Sequence, residues 1–269
     1  MRNVKYLLLL VPVVFGICAC EKEIGIDYRE AEKLYVVEAA VTSEYTRVMI
    51  TQTQGMSDNM RQRSIEGAKV VITSGDSIRS TVPYNRNGYY LSALKGRPGV
   101  RYAIDIEMEG HHFSAESTMQ PMPQLSSMRF VWKKILNTEV LYADLRINDL
   151  PGRADYYFIH VYRNGLGYRW AVLTDKQQPG GELQQLITCM TRSDMEKGTD
   201  DSLNEGDRLR ILVRSIDRAS YDYLYSMQLM DNTMTNPITY FTGGCLGYFS
   251  AYSQAVYERT FSTEGIERE

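Results

Sequence analysis

In the stretch Arg101-Tyr-Ala-Ile-Asp-Ile-Glu-Met108, Tyr102, Ile104, Ile106 and Met108 are apolar, while Asp105 and Glu107 face the other way. A period of two marks a strand with one buried and one solvated face. Runs of the same kind cover Tyr35 to Thr42, Arg47 to Thr53, Ala68 to Thr73, Gly88 to Ser92 and His112 to Ser117. The turn-forming clusters Ser74-Gly75-Asp76 and Asn85-Arg86-Asn87-Gly88 fall between them. This spacing predicts a β-sandwich of about seven strands over residues 33–120.

Gln120-Pro-Met-Pro-Gln124 closes that module, because alternating prolines stiffen a chain and remove ladder donors; residues 121–125 read as a linker. Residues 126–269 then form a second β-rich domain. Its strands are expected at Ser127 to Lys133, Thr138 to Asn148, Asp155 to Arg163, Arg169 to Thr174, Leu183 to Cys189 and Arg208 to Ile216, with a final pair at Leu246 to Tyr252 and Val256 to Phe261. Leu209, Ile211 and Val213 alternate with Arg208, Arg210 and Arg214, which puts a basic stripe on a solvated face. One amphipathic helix is expected near 220–232, where Tyr223, Leu224, Met227 and Met230 recur at helical spacing. Tyr221, Tyr225 and Leu229 supply a second apolar side, which predicts packing on two faces. The expected fold is mainly β: an N-terminal sandwich followed by a second β-rich domain with one packed helix. The segments Glu66 to Ile72, Gly88-Tyr-Tyr90 and Pro98 to Tyr102 resemble immunoglobulin-like and carboxypeptidase-regulatory-like modules of envelope proteins.

The composition of the 269 residues, 43% hydrophobic and 23% charged, is that of a globular chain and excludes a disordered or polytopic membrane protein. A formal charge of −3 offers no broad electropositive surface, so nucleic acid is not an expected partner.

The N-terminus reads as an address. Arg2 and Lys5 precede an apolar run from Leu7 to Ile17, and Ala19 stands immediately before Cys20. The run, interrupted by Pro12, is shorter than the ~20 residues that span a bilayer as a helix. Residues 1–19 resemble a bacterial lipoprotein signal peptide, which implies acylation of Cys20 as the mature N-terminus; Ile17 before Cys18 is too bulky for that role. Residues 20–32 then form a tether. Loss of residues 1–19 leaves 28 basic against 33 acidic residues, so lipid rather than charge would hold the chain to an anionic membrane. Glu21-Lys22-Glu23 after the cysteine resembles the surface-export signal of Bacteroidota lipoproteins.

Several stretches carry a wider resemblance: Leu34-Tyr-Val-Val-Glu38, Arg210-Ile-Leu-Val-Arg214, the Tyr-rich helix, Asn236-Pro237, and Gly243-Gly-Cys-Leu-Gly-Tyr-Phe-Ser-Ala-Tyr252. Together they make the chain similar to a family of Bacteroidota lipoproteins catalogued only as a domain of unknown function. The resemblance implies an outer-membrane protein, lipid-anchored and exposed at the cell surface, that works beside a TonB-dependent receptor in uptake. It implies no catalytic residue and no cofactor. A free-standing glycan-binding or adhesive protein, or a surface hydrolase, are the alternatives.

Candidate site residues follow. Cys189 and Cys245 are the two cysteines left in the folded part, and an envelope compartment permits either a disulfide between them or two buried thiols. Tyr156, Tyr168, Trp170, Tyr248 and Tyr252 belong to an aromatic-rich second domain; such residues serve a glycan, peptide or protein contact, or fill a core. Ser77 and Ser202 sit in Asp-Ser-Ile and Asp-Ser-Leu, which resemble a short O-glycosylation motif of exported Bacteroidota proteins. His111 and His112 point to opposite strand faces, and with His160 they make no metal-binding spacing. The acidic loop Thr199 to Asp207 misses the EF-hand offsets, so no metal ligand is assigned. Glu38, Asp105, Glu107 and Asp144 are strand carboxylates that a hydrolase pair would have to come from.

Overall fold

The computed structural model describes residues 32–54, 63–149, 154–175, 181–233 and 236–269; the leader, Cys20 and the tether as far as residue 31 lie outside the described residues. The described residues from 33 onward belong to one compact unit.

Alternation becomes burial as the sequence predicts. In β8 (Arg101–Met108) Tyr102, Ile104, Ile106 and Met108 are buried, while Arg101 and Glu107 are exposed. β8 sits in a four-stranded sheet with β5 (Ile78–Thr81), β4 (Lys69–Ser74) and β9 (His111–Thr118), in the order β5-β4-β8-β9. A second four-stranded sheet has the order β14-β11-β10-β17, from β14 (Glu182–Thr191), β11 (Thr138–Asn148), β10 (Gln124–Ile135) and β17 (Glu267–Arg268).

Both small sheets pack against one long sheet. Its path runs from β13 (Leu166–Thr174) through β12 (Tyr156–Arg163), β15 (Arg208–Ile216), β16 (Leu246–Thr260), β1 (Tyr35–Thr42), β2 (Thr46–Gln52) and β7 (Tyr89–Ser92) to β6 (Tyr84–Arg86). β3 (Arg63–Ser64) adds to β2 off this path. One core lies between the N-terminal half of the chain and the long sheet, with Val37, Ile50, Ile72, Ile104, Phe113 and Phe249 at its centre. The other lies under β10, β11 and β14 and holds Leu141, Leu145, Ile159, Ile211, Val213 and Phe261.

β16 joins the two halves. Residues 246–252 pair in parallel with β1, from Val36↔Leu246 to Thr42↔Tyr252. Residues 253–260 pair antiparallel with β15, from Ser215↔Ser253 to Arg208↔Thr260. A single 15-residue strand therefore replaces the expected pair of strands at 246–252 and 256–261. The intervening Ser253-Gln-Ala255 contains no glycine, proline, asparagine or aspartate to turn the chain, and unbroken alternation lets Phe249 and Ala251 face one core while Tyr257 packs against the other. The Pro-containing segment does separate β9 from β10, but the halves it separates share this strand. Its own ends are tied across: Ser253 Oγ donates to the Gln120 carbonyl at 2.6 Å, and the Tyr257 hydroxyl accepts the Leu125 N–H at 3.0 Å.

Two helices complete the described residues. The short α1 (Arg192–Lys197) is closed by a capping box between Thr191 and Asp194 and ends at Gly198 in the left-handed region. α2 (Arg218–Thr233) begins at Asp217, whose carboxylate accepts the Ser220 N–H at 2.9 Å. The Ser117 hydroxyl donates to the same carboxylate and accepts the Ala251 N–H at 2.8 Å, so β9, β16 and α2 meet at one serine. α2 lies on the outer face of the long sheet, where Tyr223 and Leu224 pack with Ala40, Tyr156, Phe158, Ile216 and Tyr252. The predicted packing on two faces is corrected: only one sheet lies beneath the helix, and Tyr225, Met227 and Leu229 are exposed.

Candidate functional site

The outer face of the long sheet has rows fixed by register. Val172, Phe158, Arg214 and Gln254 make one row across β13, β12, β15 and β16. Trp170, His160, Leu212 and Val256 make the next, and Gly167, Tyr162, Arg210 and Glu258 the third. α2 covers the end of the face at Tyr156, Phe158 and Ile216; in the second and third rows Leu212 is buried among its neighbours, while Trp170, Val256, Arg210 and Glu258 are exposed and His160 and Tyr162 half-buried. Trp170 is 38% and Val256 43% exposed, which is unusual for such side chains on a sheet face.

The open rows are held rigidly. The His160 and Tyr162 rings stack at 4.2 Å, and Trp170 meets Phe158 edge-on at 6.0 Å. The Arg214 guanidinium lies over Phe158 and Tyr252, at 5.1 and 4.9 Å from the ring centroids. Burial, with Arg214 nearby, pushes the His160 imidazole below its ordinary range, so the ring is neutral at pH 7. Arg210 stands 4.0 Å from Glu258, both largely exposed. Beside them a shallow cleft of about 640 Å3 is lined by Asn164, Arg208, Arg210, Glu258 and Arg259. The expected basic stripe is therefore real for Arg208 and Arg210, while Arg214 is drawn partly inward by its two rings.

Of the five aromatic candidates, Trp170 alone reaches the open surface. Tyr156 meets Tyr221 at a tilt with centroids 5.1 Å apart, Tyr248 stacks with Tyr223, and Tyr252 is buried beneath Arg214. The Tyr168 hydroxyl donates to the Cys189 carbonyl at 2.7 Å. These four brace the helix and the second core.

The other candidate residues lie elsewhere in the fold. Cys189 and Cys245 are free thiols in different cores, so no bridge joins them; burial pushes both up to about 12. Ser202 is 1% exposed and its hydroxyl is paired with Thr199 at 2.7 Å, which denies it to glycosylation. Ser77 is exposed on the β4–β5 turn. Two carboxylates of the acidic loop are held by arginines, Asp201 by Arg169 and Asp207 by Arg163 at 2.6 Å, while Glu205 accepts from Thr263. Asp105, Glu107 and Asp144 likewise have basic partners, His112, Lys69, and Arg129 with Arg146, respectively. Glu38 is half-buried beside the tyrosines of α2 and β16, and desolvation raises its carboxyl despite Arg47. One group was not legible in the sequence: Asp149, Asp155 and Asp175 come together at the ends of β11, β12 and β13.

The family model for a domain of unknown function, DUF4249, matches residues 21–258. The chain belongs to the DUF4249 family. The match takes in β1 to β15 and most of β16, so the shared strand and the open rows are within it. No curated protein matches this DUF4249 chain. Among solved structures, a DUF4785 family protein from Legionella pneumophila is similar at 9% identity and a TM-score of 0.24, over 68% of this chain and 52% of that one. The chain thus spans about half the length of that protein.

Proposed function

We propose that the chain is a lipid-anchored outer-membrane protein of Bacteroidota type that docks onto a TonB-dependent receptor, in a binding rather than a catalytic role. Acyl chains on Cys20 hold it in the membrane plane, and the open rows of the long sheet make the receptor contact. The observation that carries this reading is the uncovered set of Trp170, His160, Tyr162, Arg210 and Val256 on a rigid face. Tryptophan, tyrosine and arginine are the side chains that dominate binding energy at protein interfaces, because each buries a large area and keeps a polar tip. A sheet face pinned by ring stacking loses little conformational entropy on docking. Restriction to the membrane plane raises the effective concentration of the partners, so that modest affinity suffices.

The test is purification of the native lipoprotein from its own envelope in mild detergent, with co-purifying proteins identified by mass spectrometry. A stoichiometric TonB-dependent receptor, lost when Trp170 and Arg210 are both replaced by alanine, is the expected result. Recovery at full yield without a receptor overturns the proposal.

A further inference from the structure

Asp149 follows β11, Asp155 precedes β12 and Asp175 follows β13, so three strand ends deliver three carboxylates to one place. Their exposures are 8%, 5% and 1%, and one carboxylate oxygen of each lies within 4.8 Å of the others. The backbone fixes the arrangement: Asp175 N–H donates to the Asp155 carbonyl at 3.3 Å, and Asp149 N–H to the Gly181 carbonyl at 2.8 Å. The Tyr157 hydroxyl donates to Asp149 Oδ1 at 3.1 Å.

Asp175 is the informative member. Its Oδ1 accepts the Asp155 N–H at 2.6 Å, while Oδ2, fully enclosed, receives no donor. The Asp149 carboxyl lies within hydrogen-bonding reach of Asp175. An enclosed carboxylate oxygen that receives no donor, with two further carboxyls within 4.8 Å, is a place for a proton or a cation. The donor set is all oxygen, which selects hard cations, and ligands arriving from three strand ends suit the irregular coordination that calcium tolerates and magnesium does not. A cleft of about 230 Å3, lined by Pro121, Pro123, Asn148, Asp149, Tyr157 and Ser215, adjoins the cluster from the surface.

We propose that Asp149, Asp155 and Asp175 form a calcium-binding site that ties together the ends of β11, β12 and β13. The site is independent of the receptor contact, which lies on other rows of the sheet.

The experiment uses the full chain, stripped of divalent ions with EDTA and titrated at pH 7 with CaCl2 by calorimetry. Terbium follows as a second probe, its luminescence sensitised through Tyr157. One ion per chain is expected, and calcium at about a hundred times its Kd should raise Tm by roughly 5–10 °C. Asp175→Asn keeps the size and the acceptor for the Asp155 N–H, and should bind at least tenfold more weakly with an unchanged circular dichroism spectrum. Asp201→Asn, in the acidic loop, should bind as the natural chain does. Unaltered binding by a folded Asp175→Asn variant overturns the proposal. So does the absence of calcium and terbium binding at millimolar concentration, in which case a shared proton fills the gap.

Discussion

Gly247→Ala is the sharpest perturbation of the long sheet. Gly247 sits opposite Val37 where β16 enters its parallel pairing with β1, and its φ is +113°. A Cβ there would lie 1.9 Å from the Val37 carbonyl oxygen and 2.6 Å from its carbon, both backbone atoms that cannot swing aside. The backbone conformation alone costs an alanine about 1–3 kcal/mol. Relief of the overlap pushes β16 from β1 and loosens ladder bonds worth about 1 kcal/mol each, so the total is about 3–5 kcal/mol. For a domain of this size that lowers Tm by roughly 8–15 °C. Gly244→Ala is the internal control: its φ is +85°, but nothing lies within 4 Å of the added methyl, so the backbone term acts alone. The assay is equilibrium urea unfolding followed by tryptophan fluorescence. Trp132 is buried in the second core and Trp170 lies on β13, so both report on the half of the molecule that does not contain β1. A midpoint that falls in this signal, and falls more for Gly247→Ala than for Gly244→Ala, shows that β16 transmits the damage. Equal midpoints for the two variants, or an unchanged tryptophan transition, would refute the reasoning.

Three further outcomes follow from the same structure. Asp144 is fully buried; burial alone would raise its carboxyl, but donation from Gln184 and the Arg146 and Arg129 guanidiniums hold it below the ordinary range. Its contribution is therefore complete above the unfolded value of about 3.9 and is lost as pH falls through the lower folded value. Asp144→Asn should cost about 3 kcal/mol at pH 7, at the low end for a broken buried ion pair because both arginines reach solvent, and the gap from the natural chain should close below about pH 4 in urea titrations. Phe261 is completely buried and meets Phe130 edge-on at 4.9 Å, so Phe261→Ala should destabilise by about 3–5 kcal/mol in the same assay. Cys20→Ala should abolish metabolic labelling with palmitate and release the chain from the membrane fraction; continued labelling contradicts the proposed anchor.

The strands were legible because burial on one face leaves a direct mark. β1, β8, β11 and β15 begin and end at the residues where alternation begins and ends. The continuity of β16 was readable in principle from the missing turn residues at 253–255, but two short runs mimic a hairpin unless each half's partner is known, and β1 is some 200 residues away in sequence. Helical periodicity found α2 but not how many of its sides are covered, because that depends on what lies above it. The six-residue α1 is too short to carry a period and is marked only by its Thr191/Asp194 cap. Aromatic richness drew attention to five residues without separating Trp170 from Tyr252; register decides which row lies beneath α2. The aspartate cluster left no trace in spacing, since its members are brought together by where three strands stop.

The claim that the uncovered rows make the receptor contact is tested most directly in intact cells. A photo-reactive amino acid is placed at position 170, with a second at position 78, where Ile78 is more solvent-exposed than Trp170 but lies in the β5-β4-β8-β9 sheet. Irradiation should crosslink position 170, and not position 78, to an outer-membrane receptor of the TonB-dependent type. Crosslinking from position 78 alone, or from neither, would contradict the account.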